Sequence, residues 1–252
     1  MPRPAFDDLP LQQGHPQFSA WGLWGKSDEL GTLNLLTPEV KKNAAREIQT
    51  GDTIPLSLPI DAFLQPMNPV RKPCSHRIIA KGHANDDELD INTQGSSHWD
   101  GLRHYPYQST LEYYNGVTQA DISGNAATLK IGVHNLAPLP VNEQERLPHR
   151  QVRASCGLEA SEEALRWHWE NAFAAVASDT VAYEAWPSPR PCGVAMHEVF
   201  LSGWGMPIGE SFDLEALAEK CNKENRWTFM FVSVPLDLPG GVASPPSAVA
   251  IF

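Results

Sequence analysis

The stretch TQGSSHWDGLRHYPY, Thr93–Tyr107, decides how the rest of the chain is read. If a strand runs to Asp100, His98 and Asp100 stand two residues apart and project from the same face. An imidazole and a carboxylate side by side suit a borderline divalent ion such as zinc or manganese. Gly101 then lets the chain turn, so that His104 can bring a third group close. An H-x-D triplet also arises by chance, and a hydrogen-bonded structural histidine is the competing reading. Trp99, Tyr105 and Tyr107 flank the same residues and could wall a pocket for a flat, aromatic substrate, or simply pack.

A second cluster lies downstream in AMHEVFLSGWGMPIGE, Ala195–Glu210. His197 falls in a short apolar stretch of helical character. Gly203, Gly205 and Pro207 break it, and Ile208–Glu210 can return as a strand. Such a helix–turn–strand could bring His197 and Glu210 together, although a core histidine and a solvated glutamate satisfy the same pattern. His134, His149 and His168 have no partner at ligand spacing and are left as structural or surface residues.

Around these clusters the pattern is that of an α/β protein. Thr37 can cap a helix with Pro38 in its first turn, Val40, Ala44 and Ile48 on one face, and Gly51 as the stop. Alternation over Thr53–Ile60 suggests a strand whose prolines confine it to an edge. Further strands are expected at His76–Ala80, over Ile91–Asp100, at Trp227–Val234 as a buried strand, and at Ala248–Phe252. Ser161 opens a helix whose Leu165, Trp169, Phe173 and Val176 read as core. Another runs from Asp213 to Cys221. Between them, Leu136–Gly157 is polar, proline-bearing and without period, an irregular segment inside one domain spanning residues 1–252. The 22 prolines and 18 glycines, spread throughout, speak against a helical bundle.

Composition removes several functions. A formal net charge of -11 argues against nucleic acid, which needs a clustered basic footprint. No run of apolar residues is long enough to span a membrane, and the N-terminus carries no signal-peptide core, so a cytoplasmic location is expected. Cys74, Cys156, Cys192 and Cys221 form no C-x-x-C pair, and buried thiols are expected rather than a cysteine zinc site. No G-x-S-x-G elbow and no dinucleotide or Walker glycine motif occurs.

Read together, WGLWGKSDELGTLNLLTPE (Trp21–Glu39), TQGSSHWDGLRH (Thr93–His104), YYNG (Tyr113–Gly116), AAVASD (Ala174–Asp179), MHEVFLSGWGMPIGE and GGVASPPSAVAIF resemble the cyclase family. That family includes kynurenine formamidases and manganese-dependent isatin hydrolases, and the likeness is to its fungal-type branch. It covers most of the chain outside Leu136–Gly157. The family signature H-x-G-T-H-x-D-x-P-x-H falls with its second histidine and aspartate on His98 and Asp100 and its last histidine on His104. The resemblance implies metal ligation by His98 and Asp100, completed by His197 and Glu210, with His104 as the acid/base. Two departures stand out. Gln94 replaces the first signature histidine, which favours a single ion with the glutamine at its margin. Several dozen residues of the core sheet are also shortened to Leu136–Gly157.

The resemblance implies a swivelling β/β/α-like sheet with flanking helices, and a homodimer or homotetramer. The leading expectation is a metal-dependent hydrolase acting on an amide or lactone carbonyl of a small aromatic or secondary-metabolite substrate. A cyclase, lyase or isomerase using the same site is the alternative, and a catalytically degenerate binding protein the third reading.

Overall fold

The computed structural model describes residues 3–124, 127–136 and 154–252. Its central feature is a four-stranded sheet in the order β5-β6-β4-β8, made of β4 (His98–Asp100), β5 (Val176–Ala177), β6 (Ile208–Glu210) and β8 (Ala243–Ser244). Strand β4 pairs antiparallel with both β6 and β8, while β5 runs parallel to β6. A second, antiparallel sheet joins β1 (Thr53–Pro55), β9 (Ala248–Ile251) and β7 (Met230–Ser233) in that order. Strands β2 (Ser75–Ala80) and β3 (Asn85–Asp90) form a separate exposed hairpin. The helices are α1 (Pro38–Ala44), α2 (Gln119–Ile122), α3 (Glu162–Glu170) and α4 (Glu215–Glu224), with a π-helix over Glu198–Trp204.

Strands β4, β6 and β8 are buried throughout, so alternation decides which side of the sheet each residue packs on. Trp99 points from β4 away from its neighbours' side chains and packs edge-on against Phe212 and Phe231, with ring centroids 5.2 and 6.3 Å away. It anchors a core cluster with Leu56, Cys221, Ala248, Ala250 and Phe252 that ties the two sheets to α4. The larger core gathers around the π-helix. Phe200 stacks on Trp204 at 5.0 Å, and Trp169 of α3 lies 5.1 Å from the same indole. Gly205 ends the π-helix at φ 63, and a Cβ there would lie 2.7 Å from the Cα of Gly31. Only glycine tolerates both the left-handed backbone and that backbone-to-backbone contact. The turn it makes returns the chain as β6.

Several expected elements are shorter than their sequence pattern. The Thr53–Ile60 strand stops at Pro55, because Pro55 and Pro59 cannot donate to a ladder; it does lie at a sheet edge. The strand expected over Ile91–Asp100 is confined to His98–Asp100, since Asn92 closes a tight turn with its Oδ1 accepting from Gln94 N and its carbonyl from Gly95 N. Helix α3 ends at Glu170, so Val176 belongs to β5 rather than to the helix face. The helix after Thr37 is capped as expected, with Thr37 Oγ1 accepting from Val40 N, but Val40 and Ile48 stay exposed. Strand β7 is only partly buried: Phe231 is exposed on it, and Trp227 ahead of it is exposed too. Cys221 is a buried thiol, whereas Cys156 is at the surface. Of the irregular segment at 136–157, residues 137–153 lie outside the described residues, and Ser155 beyond them bridges to Trp186. Among the described residues, no helix is long and apolar enough to cross a membrane.

Candidate metal centre

The pairing of β4 with β6 builds the site. Its register sets His98 directly opposite Glu210, and Asp100 follows on the same face two residues on. His98 Nε2 lies 3.4 Å from Glu210 Oε2 and 3.6 Å from Asp100 Oδ1. The ligating atoms of these three buried residues all fall within 4.8 Å of one another. The π-helix then delivers His197, whose Nε2 is 3.0 Å from Glu210 Oε1 and 4.0 Å from Asp100 Oδ2. The two sequence clusters therefore converge, and Glu210 is a buried member of the site rather than a solvated surface acid.

Both imidazoles are pre-set. His98 Nδ1 lies 2.8 Å from the Ser96 carbonyl, which can only accept, so Nδ1 carries the proton and Nε2 offers its lone pair to the centre. His197 Nδ1 is 2.6 Å from Glu184 Oε1, and Glu184 also accepts from the backbone of Met196 and His197 and from Ser188 Oγ. A carboxylate behind a histidine is the usual device for fixing the orientation and basicity of a metal-binding imidazole. Glu184 had no signal in the sequence. It stands 13 residues before His197 in an irregular stretch, and the contact exists only because the chain folds back across the start of the π-helix.

The residues fit a divalent cation. Among the described residues, His98 Nε2 and Asp100 Oδ2 are buried without a hydrogen-bond partner, although buried polar atoms are normally paired. Three carboxylates, Asp100, Glu184 and Glu210, are buried around two histidines, an arrangement that desolvation penalises heavily unless a cation is shared between them. Without metal, a proton serves as that cation. Burial disfavours charge on His197, but its hydrogen bonds to Glu184 and Glu210 outweigh this and push its pKa up to about 10. His98 follows the same logic: burial opposes its charge, and the Asp100 and Glu210 charges overcome it and raise the pKa. Burial by itself would raise Glu210, yet the two imidazoles hold it far below the usual carboxylate range.

His104 behaves differently. A turn through Gly101, where a Cβ would lie 2.8 Å from the Val242 carbonyl oxygen, brings its Nε2 to 3.6 Å from Asp100 Oδ2. Its side chain is 22% exposed, against 2% for His98, so it sits at the mouth. Burial of the ring lowers its pKa, and the nearby Asp100 charge does not reverse this. Gln94 Nε2 donates to Asp100 Oδ1 at 2.6 Å and lies 3.3 Å from His104 Nδ1. The Gln94 amide nitrogen thus bridges Asp100 and His104 at the margin of the cluster.

The three aromatic residues part company. Tyr105 lines the mouth, its ring 6.2 Å from His104 and 5.6 Å from His197, and Trp186 completes a triangle at 6.4 Å from Tyr105 and 6.2 Å from His197. Trp99 lies on the opposite face of β4 with Nε1 donating to Ser233 Oγ, so it does not reach the pocket expected of it. Tyr107 is fully buried with its hydroxyl on the Gln17 carbonyl, and it too is core rather than pocket wall. Alternation on β4 decides the first case, and the turn after Pro106 decides the second.

No family profile matches the chain, and no curated protein matches it. Among solved structures, a protein described as a novel cyclase is 25% identical, with a TM-score of 0.75 over 93% of this chain and 99% of that one. A predicted metal-dependent hydrolase from Bacillus stearothermophilus is 15% identical, with a TM-score of 0.49 over 79% of this chain and 97% of that one. Isatin hydrolase A from Labrenzia aggregata is 13% identical, with a TM-score of 0.47 over 87% of this chain and 98% of that one. The first of these carries the fold assignment: the mixed α/β architecture is a cyclase-family fold, as the motifs implied.

Proposed function

We propose that this chain is a metal-dependent hydrolase acting on an amide or lactone carbonyl of a small molecule. One observation supports the metal above all: two imidazoles, each fixed through Nδ1, share a buried centre with Asp100 and Glu210, and His98 Nε2 and Asp100 Oδ2 have no hydrogen-bond partner among the described residues. His98, Asp100, His197 and Glu210 would hold the ion. When bound, a divalent ion such as zinc or manganese polarises a carbonyl and lowers the pKa of water.

The protein's own residues supply the proton transfers. With its pKa lowered, His104 is neutral at pH 7 and has a lone pair available at the mouth of the site. It takes a proton from the attacking water and returns it to the departing nitrogen or oxygen. Gln94 keeps Asp100 from swinging toward His104, since its amide holds Oδ1 at 2.6 Å. Tyr105 and Trp186 meet edge-to-face beside His197 and would form an aromatic wall for a flat substrate. The fungal-type likeness of the N-terminal and C-terminal motifs supports a substrate from secondary metabolism, and a homo-oligomer is part of the same reading.

The test is His104→Ala. Turnover should fall by roughly 10²–10⁴-fold, the range of general acid–base catalysis, with metal content unchanged. Loss of metal together with activity would make His104 a ligand and remove it from this role. A second reading, a cyclase, lyase or isomerase step, draws support from the structural neighbour described as a cyclase. A neutral histidine beside a Lewis acid can equally remove a proton next to a ketone. Solvent labelled with heavy oxygen separates the two, because only hydrolysis carries the label into product.

A further inference from the structure

Arg190 lies on the irregular stretch between Glu184 and the π-helix, and neither the metal cluster nor the proton transfers use it. Its backbone is left-handed, at φ 47, in a turn closed by Gly193 N donating to its carbonyl at 2.9 Å. A residue other than glycine keeps that conformation only where its surroundings hold it. Here the guanidinium is engaged at two points: Nη1 lies 3.4 Å from Glu198 Oε1, and Nη2 donates to the Tyr105 hydroxyl at 3.2 Å. The Glu198 side chain is 2% exposed and that of Arg190 35%. The buried carboxylate takes its counter-charge from this pair, while the guanidinium extends to the mouth.

Glu198 secures this part of the mouth twice. Its Oε2 accepts from Gln108 N at 2.7 Å, its Oε1 accepts from Ala195 N at 3.0 Å, and through Arg190 it reaches Tyr105. Ser202 Oγ, also on the π-helix, donates to the Tyr105 carbonyl at 2.7 Å. Tyr105 is therefore tied at its backbone and again at its hydroxyl. Among the described residues, Arg190 is the one hydrogen-bond partner of that hydroxyl. The ring between the two ties stands in a nearly regular triangle with His104 and His197, whose own rings are 6.4 Å apart.

From this geometry we infer that Arg190 is a positioning residue that sets substrate specificity: held by Glu198, it latches the Tyr105 hydroxyl and so fixes the wall that selects a flat aromatic substrate over a saturated one. Aromatic rings favour one another only at defined angles and centroid distances. A Tyr105 ring free to swing would still cover apolar surface, but it would lose that angular selection. The latch thus acts on the choice between flat and puckered rings more than on total affinity. Arg190 is no anion site, because Glu198 already balances its charge. The inference rests on the proposed wall of Tyr105 and Trp186, and not on the metal.

Benzamide and cyclohexanecarboxamide, neutral amides that differ in ring flatness, are the probes, titrated by ligand-observed NMR against metal-loaded protein. Wild-type protein should prefer benzamide, and Arg190→Met should cut that preference by about 2–10-fold, the range of an aromatic pair, at unchanged metal content. Tyr105→Phe keeps the ring and removes the latch point, so it should show the same loss, and the double variant no more than either single one. Arg190→Lys keeps the charge beside Glu198 but lacks the fork that spans two partners, and should restore only part of the preference. Both amides weakened by the same factor would mark a merely structural role and overturn the inference. Wild-type preference in Tyr105→Phe, or losses that add in the double variant, would overturn it too. Equal binding of the two amides by wild type removes the wall itself and the inference with it. Should Arg190→Met fail to fold, Tyr105→Phe leaves the Arg190–Glu198 pair in place and decides alone. Protein that takes up no metal contradicts the proposed hydrolase, while the same titration of metal-free protein still reads the latch.

Discussion

The β2–β3 hairpin and the β4–β6 pair use the same parts. Each is antiparallel, and each sets a histidine of one strand near an acid of the next: His76 with Asp87 at 2.9 Å, and His98 with Glu210 at 3.4 Å. Only the surroundings differ. The side chains of His76 and Asp87 are 43% and 70% exposed, whereas those of His98 and Glu210 are 2% and 4% exposed. Water solvates the first pair whether or not the partners meet, so the contact is worth little. The second pair has no water to fall back on, and its unsatisfied atoms demand a cation. Burial, and not the pairing of residue types, turns a strand ladder into a candidate metal site.

The sharpest break of this comparison is at His98. His98→Ala or Asp100→Asn should remove bound metal and essentially all turnover, while His76→Ala should leave both at the wild-type level; elemental analysis and a steady-state assay check this. Next comes the group behind the ligand. Glu184→Gln keeps the shape but removes the carboxylate from His197 Nδ1, and metal affinity should fall by roughly 10–100-fold, read by chelator competition. The hairpin supplies the smallest effect. Arg77→Ala breaks the exposed contact with Glu88 and should change unfolding free energy by about 0.2–1 kcal/mol, measured by urea denaturation.

A third histidine sharpens the contrast. His168 is buried between the Ala164 carbonyl and the Tyr183 hydroxyl, with Phe200 and Phe173 around it and, among the described residues, no carboxylate in contact. Burial lowers its pKa, the opposite direction from His197. Since the folded state disfavours the charged ring, the unfolded chain binds the extra proton first. His168 therefore contributes stability fully above the unfolded imidazole pKa of about 6.5, and that contribution is lost as pH falls below it. Thermal melts between pH 7 and pH 5 should show a smaller loss for His168→Gln than for wild type. An unchanged slope would assign the acid sensitivity elsewhere.

Much of the site was legible because its residues sit where local rules are strong. The H-x-D spacing on a strand fixes a shared face, and the Gly203–Pro207 breakers allow a turn that could bring Glu210 to His197; its place opposite His98 comes from a strand pairing that no local pattern gave. Trp99 misled for the same reason: alternation that unites His98 and Asp100 must send the residue between them to the other side. Glu184, Trp186 and Arg190 were illegible because each reaches the site through a long irregular segment with no period to read. Among the elements, capped helices were found within a few residues. Strand lengths were overestimated wherever a proline or an Asn-led turn cut the ladder short.

Metal content measured on carefully prepared wild-type protein and on His98→Ala, side by side, tests the central claim most directly. The account predicts a stoichiometric divalent ion in the wild type and its loss in the variant, with the fold retained by circular dichroism. Wild-type protein that binds no zinc or manganese under either loading condition, or a variant that retains the full complement, would contradict it.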